Sequence, residues 1–206
     1  MVTWRPLMVL VAAAAGARAP AAAQDSAATA ARDVPPAGYG TLRQDDIALR
    51  LETVDLQIRA LPLDERVIRL LSPDTYATLH GLTVLKRQAI AELVDAFGLT
   101  DPALFVVTFF GLRERARYIP EDFTITSRGR FFRPIGIIPL SPRWSEQQLG
   151  QRETALAVYV FEAGIEVLEP FIATYGGVDA SGWERNLRTL DEERAAVLSR
   201  AAARRN

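Results

Sequence analysis

The sequence predicts an α+β fold: an antiparallel β-sandwich with one long inserted helix and a C-terminal helix. Three observations carry this. Apolar residues alternate with period two in several short segments, the pattern of half-buried strands. They recur at spacings of three and four in two stretches only, one mid-chain and one at the end. Turn residues separate the strands at short intervals without regular strand–helix alternation, which argues against a parallel, doubly wound sheet.

The chain has 206 residues, 49% of them hydrophobic, enough for one buried core. Its N-terminus reads as an export signal. "MVTWRP" supplies a positive charge at Arg5, "LMVLVAAAAGA" is apolar but too short to span a bilayer, and "APAAA" offers a small-residue cleavage site. Residues 1–23 are therefore expected to be a signal peptide cleaved near Ala23, with the mature chain periplasmic or secreted. Residues 24–40 are Ala, Ser, Pro and Gly with little apolar bulk, and read as a flexible leader. The sandwich domain is expected over 41–180, with its inserted helix at about 73–97, and the C-terminal helix over 181–206.

Cysteine is absent, which rules out disulfides, thiolate metal sites and a cysteine nucleophile. It also leaves no cysteine to carry a lipid anchor behind the signal peptide. No later apolar run is long enough to span a membrane. The net charge of −1 supplies no field for nucleic acid. Lys86 is the only lysine among 24 basic residues, a composition expected of a GC-rich bacterial genome. Arginines then occupy ordinary surface positions, so each one says less about function.

Ile47, Leu49, Leu51 and then Val54, Leu56, Ile58 alternate with polar residues and predict two strands ending at Pro62. Ser72 as N-cap, Pro73 and Asp74 in the first turn, and Gly98 as the stop bound the inserted helix. Its stripe is Leu79, Leu82, Leu85, Ala89, Leu93 and Phe97. "ALFVVTFFGL" predicts a strand buried on both faces, "DFTITSRGRFFRP" a hairpin, and "GIIPLSP" an edge segment. "ETALAVYVFE" is apolar on both faces and belongs centrally, and "LEPFIATYGG" is a further strand. At the end, Ser181 and Glu184 have capping-box spacing. Trp183, Leu187, Leu190, Val197 and Leu198 form a thin stripe that Arg194 interrupts, so the helix is expected to loosen beyond Arg194.

His80 is the only histidine and lacks a nucleophile elbow or a second ligand, so a structural or solvent-facing role is expected. The adjacent carboxylates Asp45 with Asp46 and Glu121 with Asp122 point to opposite faces on a strand and fit a glycosidase poorly. No catalytic, cofactor-binding or metal-ligating residue is assigned. The remaining candidate surface is Arg113, Arg115, Arg128, Arg130, Phe132 and Arg133. Arginine grips carboxylate or phosphate bidentately, and an aromatic can stack on a ligand. The competing reading is a solvated hairpin face, with Glu114, Glu121 and Glu153 as partners and one of Phe131 or Phe132 in the core.

The segments "IPEDFTITSRGRFFRP", "ETALAVYVFE" and "FIATYGG" resemble the Ig-like accessory domains of exported bacterial proteins of unknown function, over roughly residues 103–177. The Cys-Trp-Cys core of true immunoglobulin domains is absent. The resemblance implies an Ig-like β-sandwich and an exported location, and carries over no catalytic residue. The expected function is a non-enzymatic exported module that binds a protein or envelope partner or serves structurally. The alternative is an anionic-glycan or small-anion binding protein that uses the Arg-aromatic hairpin.

Overall fold

The structure, a computed structural model, describes residues 34–204. The expected signal peptide and residues 24–33 lie outside the described residues. The fold is α+β, with antiparallel sheets and a C-terminal helix.

Eleven strands form among the described residues. A five-stranded sheet holds β1 (Leu49–Glu52), β2 (Leu56–Pro62), β3 (Ala103–Gly111), β9 (Thr154–Phe161) and β7 (Gly136–Pro139), in that spatial order. A four-stranded sheet runs β11 (Val178–Ala180), β10 (Phe171–Tyr175), β5 (Thr124–Ser127), β6 (Arg130–Phe132). The short pair β4 (Ala116–Arg117) and β8 (Gln148–Leu149) stands apart. The helices are α1 (Gln44–Ile47), α2 (Glu65–Ile68), α3 (Pro73–Leu85), α4 (Arg87–Phe97) and α5 (Trp183–Ala203).

Aromatic side chains of the two larger sheets meet in the core. Phe105 on β3 lies edge-on to Phe171 on β10 at 5.7 Å, and Phe109 to Tyr175 at 5.4 Å. Such geometry adds about 0.5–1.5 kcal/mol per pair beyond area burial. Tyr118, Trp144 and Tyr159 extend the cluster, and the Tyr118 hydroxyl donates to the Trp144 carbonyl at 2.9 Å.

The other face of the five-stranded sheet divides in two. Cross-strand partners share a face. Gly136, Val160 and Leu104 form one row, and Ile138, Val158, Val106 and Leu61 the next. A methyl built on Gly136 would lie 2.4 Å from Leu93, so α4 crosses directly over these apolar rows. The following rows change character: Leu156, Thr108, Arg59 and Arg50, then Thr154, Phe110, Gln57 and Glu52. Thr108, Phe110, Gln57 and Arg59 are only half-buried. β3, expected to be buried on both faces, is thus covered over one stretch and open at Thr108 and Phe110.

Several expectations are corrected. Ile47 closes α1 instead of opening a strand. The inserted helix is two helices broken at Lys86, whose φ/ψ of −98°/9° leave the helical region. Hydrogen bonds from Lys86 to Leu82 (3.0 Å) and from Ile90 to Lys86 (2.9 Å) bracket the break. Of the apolar stripe only Leu79 is buried; Leu85, the last residue of α3, and Phe97, the last of α4, are exposed. Ser72 sits at the N-cap, but its hydroxyl pairs with that of Thr75 at 2.9 Å, and Gly182, not Ser181, is the N-cap of α5. Gly176 and Gly177 stop β10 at Tyr175, and both take positive φ to turn the chain into β11.

The C-terminal helix also departs from expectation. Trp183, Leu190, Val197 and Ala201 are all buried, so α5 is docked along its whole length. Glu193 shares this face. It accepts hydrogen bonds from the Thr41 amide (2.7 Å) and hydroxyl (2.9 Å), and from Arg200 (3.0 and 3.1 Å). Arg200 also donates to the Tyr39 carbonyl. Arg194, which interrupts the stripe in sequence, is half-buried, and docking continues past it through Val197 and Ala201. Residues 34–40, expected to be leader, lie within this arrangement: Pro35 and Gly40 are buried and Tyr39 packs on the core. A methyl on Gly40 would sit 2.3 Å from the Leu70 carbonyl carbon, so only glycine permits this backbone approach.

Candidate functional site

The hairpin of β5 and β6 turns through Arg128 and Gly129, both at positive φ (51° and 73°), the geometry of a two-residue turn matched to strand twist. Arg128 then reaches across to Glu169, donating Nε to Oε2 at 2.6 Å and a second N–H to Oε1. The hydrogen bond from Arg128, followed by its charge, holds the Glu169 carboxyl below its usual range. Arg130 pairs with Glu162 at 2.9 Å and lies 4.9 Å over the Phe132 ring. Phe132 itself is only 1% exposed, so it is a core residue and offers no stacking surface. Its neighbour Phe131 is the outward aromatic, 53% exposed, with the Arg133 guanidinium 5.7 Å from its ring.

Arg113 and Arg115 belong to the β3–β4 loop. Arg113 approaches Asp55 at 3.9 Å, and Arg115 lines a separate surface hollow with Arg143, Glu146 and Glu153. The six predicted residues therefore share no cavity. Three of the five arginines face acidic partners, and those partners are Asp55, Glu162 and Glu169, not the Glu114, Glu121 and Glu153 expected from sequence.

The hairpin register reveals a grouping that the sequence conceals. Phe131, Thr126 and Ile172 are successive cross-strand partners on the outward face of the four-stranded sheet. Ile172 is 38% exposed, so an apolar pair flanks a threonine on open surface. Alternation within the hairpin signals that one of the two phenylalanines points out. Nothing local places Ile172 beside it, because β10 joins β5 from far along the chain.

A cavity of about 350 Å³ lies at the end of the sheets where Asp64, Arg66, Asp101, Arg128 and Glu166 converge. Its guanidinium groups are committed: Arg66 bridges Asp64 (2.8 Å) and Glu166 (3.2 Å), while Arg128 holds Glu169. It offers no uncompensated cation to an anion.

His80 is held in a small polar cluster between α2 and α3. Its Nδ1 lies 2.8 Å from Glu65 Oε1, and its ring stacks on Tyr76 with centroids 5.3 Å apart. Glu65 also accepts from Arg69 and, at 3.3 Å, from the Tyr76 hydroxyl. No hydroxyl nucleophile reaches the imidazole among the described residues. Burial acts to raise the Glu65 pKa, but hydrogen bonds from Arg69 and His80 outweigh it and the net shift is downward. A carboxyl with a lowered folded pKa stabilises above its unfolded pKa, and that contribution is lost as pH falls through the folded value. Glu65→Gln should therefore cost about 1 kcal/mol near neutral pH, discounted for the group's partial exposure, and nothing in acid below the folded pKa. Chemical denaturation at several pH values measures this. An equal cost at all pH values would contradict it.

No group of three or more metal-ligating side chains occurs among the described residues. No protein-family model, curated protein or solved structure matches the chain.

Proposed function

We propose that this chain is an exported, non-enzymatic module, an Ig-like β-sandwich that binds a protein partner of the cell envelope or outside the cell. The observation that carries the reading is the exposed row Phe131–Thr126–Ile172, with the Arg128–Glu169 pair at the turn end of its strands. An aromatic and an aliphatic side chain on an open sheet face, bordered by a charged pair, match the composition of a protein interface: an apolar centre with a polar edge. The candidate arginines give the anion-binding alternative no support, since they diverge and three of the five are matched by acids. Among the described residues no helix is long and apolar enough to cross a membrane.

Two measurements test this. Fractionation of cells expressing the full chain should recover a mature form lacking residues 1–23 outside the cytoplasm. A photo-reactive side chain at Phe131 should give a discrete cross-linked species there, lost on Ile172→Asp. The reading fails if the cross-link is absent or indifferent to Ile172→Asp. It also fails if a screen of envelope substrates finds turnover abolished by His80→Ala.

A further inference from the structure

The open half of the five-stranded sheet forms a groove that the partner face does not use. Its floor is the pair of polar rows, its wall is the start of α1, and its volume is about 500 Å³. Three features define what fits.

The first is charge balance. Arg59 on the floor donates Nη1 to Asp45 Oδ1 on the wall at 2.7 Å. Arg50 donates to the Asp45 carbonyl at 3.0 Å, and Arg43 pairs with Asp46 at 3.4 Å. Each cation already has an anionic neighbour, so the groove selects against a charged ligand.

The second is fixed polarity. Arg59 Nη2 also donates to Gln57 Oε1 at 3.3 Å, which holds the Gln57 amide with its N–H groups directed elsewhere. The Thr108 and Thr154 hydroxyls have no side-chain partner among the described residues. Donors and acceptors of both kinds are thus held on rigid strands and left available, the condition for binding without a large ordering cost.

The third is an aromatic among them. Phe110 is half-buried in the row between Gln57 and Thr154, and its ring supplies the apolar part of the floor. A matching ligand carries closely spaced hydroxyls that both donate and accept, no net charge, and a face of C–H groups. We propose that this groove binds an uncharged saccharide, with a pyranose face against Phe110 and ring hydroxyls on Asp45, Gln57, Thr108 and Thr154. Strands stand about 4.8 Å apart, so the floor from β2 to β9 spans roughly 10 Å, room for about two sugar rings. The site rests on observations separate from the partner face, and either can fail alone.

The test is a titration of the isotopically labelled full chain with the soluble hexasaccharides of glucose (α-1,4 and β-1,4) and of N-acetylglucosamine. Co-sedimentation with purified peptidoglycan sacculi accompanies it. At least one probe should shift the amide signals of Gln57, Arg59, Thr108, Phe110 and Thr154. Phe110→Ala should weaken that binding by roughly tenfold. Thr108→Val, which keeps side-chain shape and removes the hydroxyl, should weaken it by several-fold without lowering the melting temperature. It guards against a Phe110 variant that fails to fold. Binding of soluble hexasaccharide identifies a free-oligosaccharide site, and sedimentation with sacculi alone a wall-polymer site; both uphold the proposal. The proposal is overturned if no probe shifts this face at about 10 mM and sacculi do not bind, a concentration beyond weak specific affinity. Binding that ignores both substitutions, or stronger shifts of the same amides by poly-glutamate, overturns it too.

Discussion

Trp183→Ala should lower the stability of the folded chain by about 3–5 kcal/mol, the range for truncating a large buried aromatic. Trp183 is fully buried at the start of α5. Its ring packs on Phe171 with centroids 4.8 Å apart, and its Nε1–H donates to the Val167 carbonyl at 2.8 Å. Alanine removes the ring from the core and leaves a buried carbonyl without its donor. Trp183→Phe separates the two contributions. It keeps most of the apolar contact and should cost about 1–3 kcal/mol, the penalty for an unsatisfied buried group. Urea denaturation of the three proteins measures both values. A cost below about 1 kcal/mol for the alanine variant would mean that the start of α5 does not anchor the helix.

Ending the chain after Ala196 should be nearly as damaging, at about 3 kcal/mol or more. The lost residues include fully buried Val197 and nearly buried Ala201. They also include Arg200, the cation beside Glu193, whose side chain is only 10% exposed. Burial pushes the Glu193 pKa up, but in the intact chain the bonds from Arg200 and Thr41 outweigh it and the net shift is downward. Its stabilising contribution is therefore present above the unfolded carboxyl pKa and lost as pH falls through the lower folded value. Without Arg200 that folded value rises, so the truncated chain should also acid-denature at higher pH than the intact one. A truncation that costs under about 0.5 kcal/mol, the range of ordinary surface changes, would show that the distal helix is dispensable.

What was legible in the sequence follows from the range of each interaction. The long strands β2, β3 and β9 and the tight β5–β6 hairpin announce themselves by alternation and turn chemistry, which are local. Gly98 ends α4 in the left-handed conformation, as glycine at a helix stop should. The distal half of α5 was misread because its partners lie elsewhere: Glu193 and Arg200 look like solvent residues until Thr41 and Tyr39 are brought beside them. The candidate surface was only half legible for a related reason: the sequence offered both a binding face and a solvated hairpin, and alternation on strands sends Arg130 and Phe132 one way and Phe131 the other. The saccharide groove was invisible because Gln57, Phe110 and Thr154 come from three strands and only sheet register aligns them.

The clasp between Thr41 and Glu193 has a consequence for synthesis and transport. Its partners are 152 residues apart in sequence, and Tyr39 and Arg200 are 161 apart. Contacts of such separation form late, because the intervening loop must close before they give any return. Residues near the front of the domain therefore wait, undocked, until nearly the last helix has been made. A chain wired this way stays open while it is being translated. That suits the proposed export, where a polypeptide locked early into its final shape could not be threaded through a narrow pore.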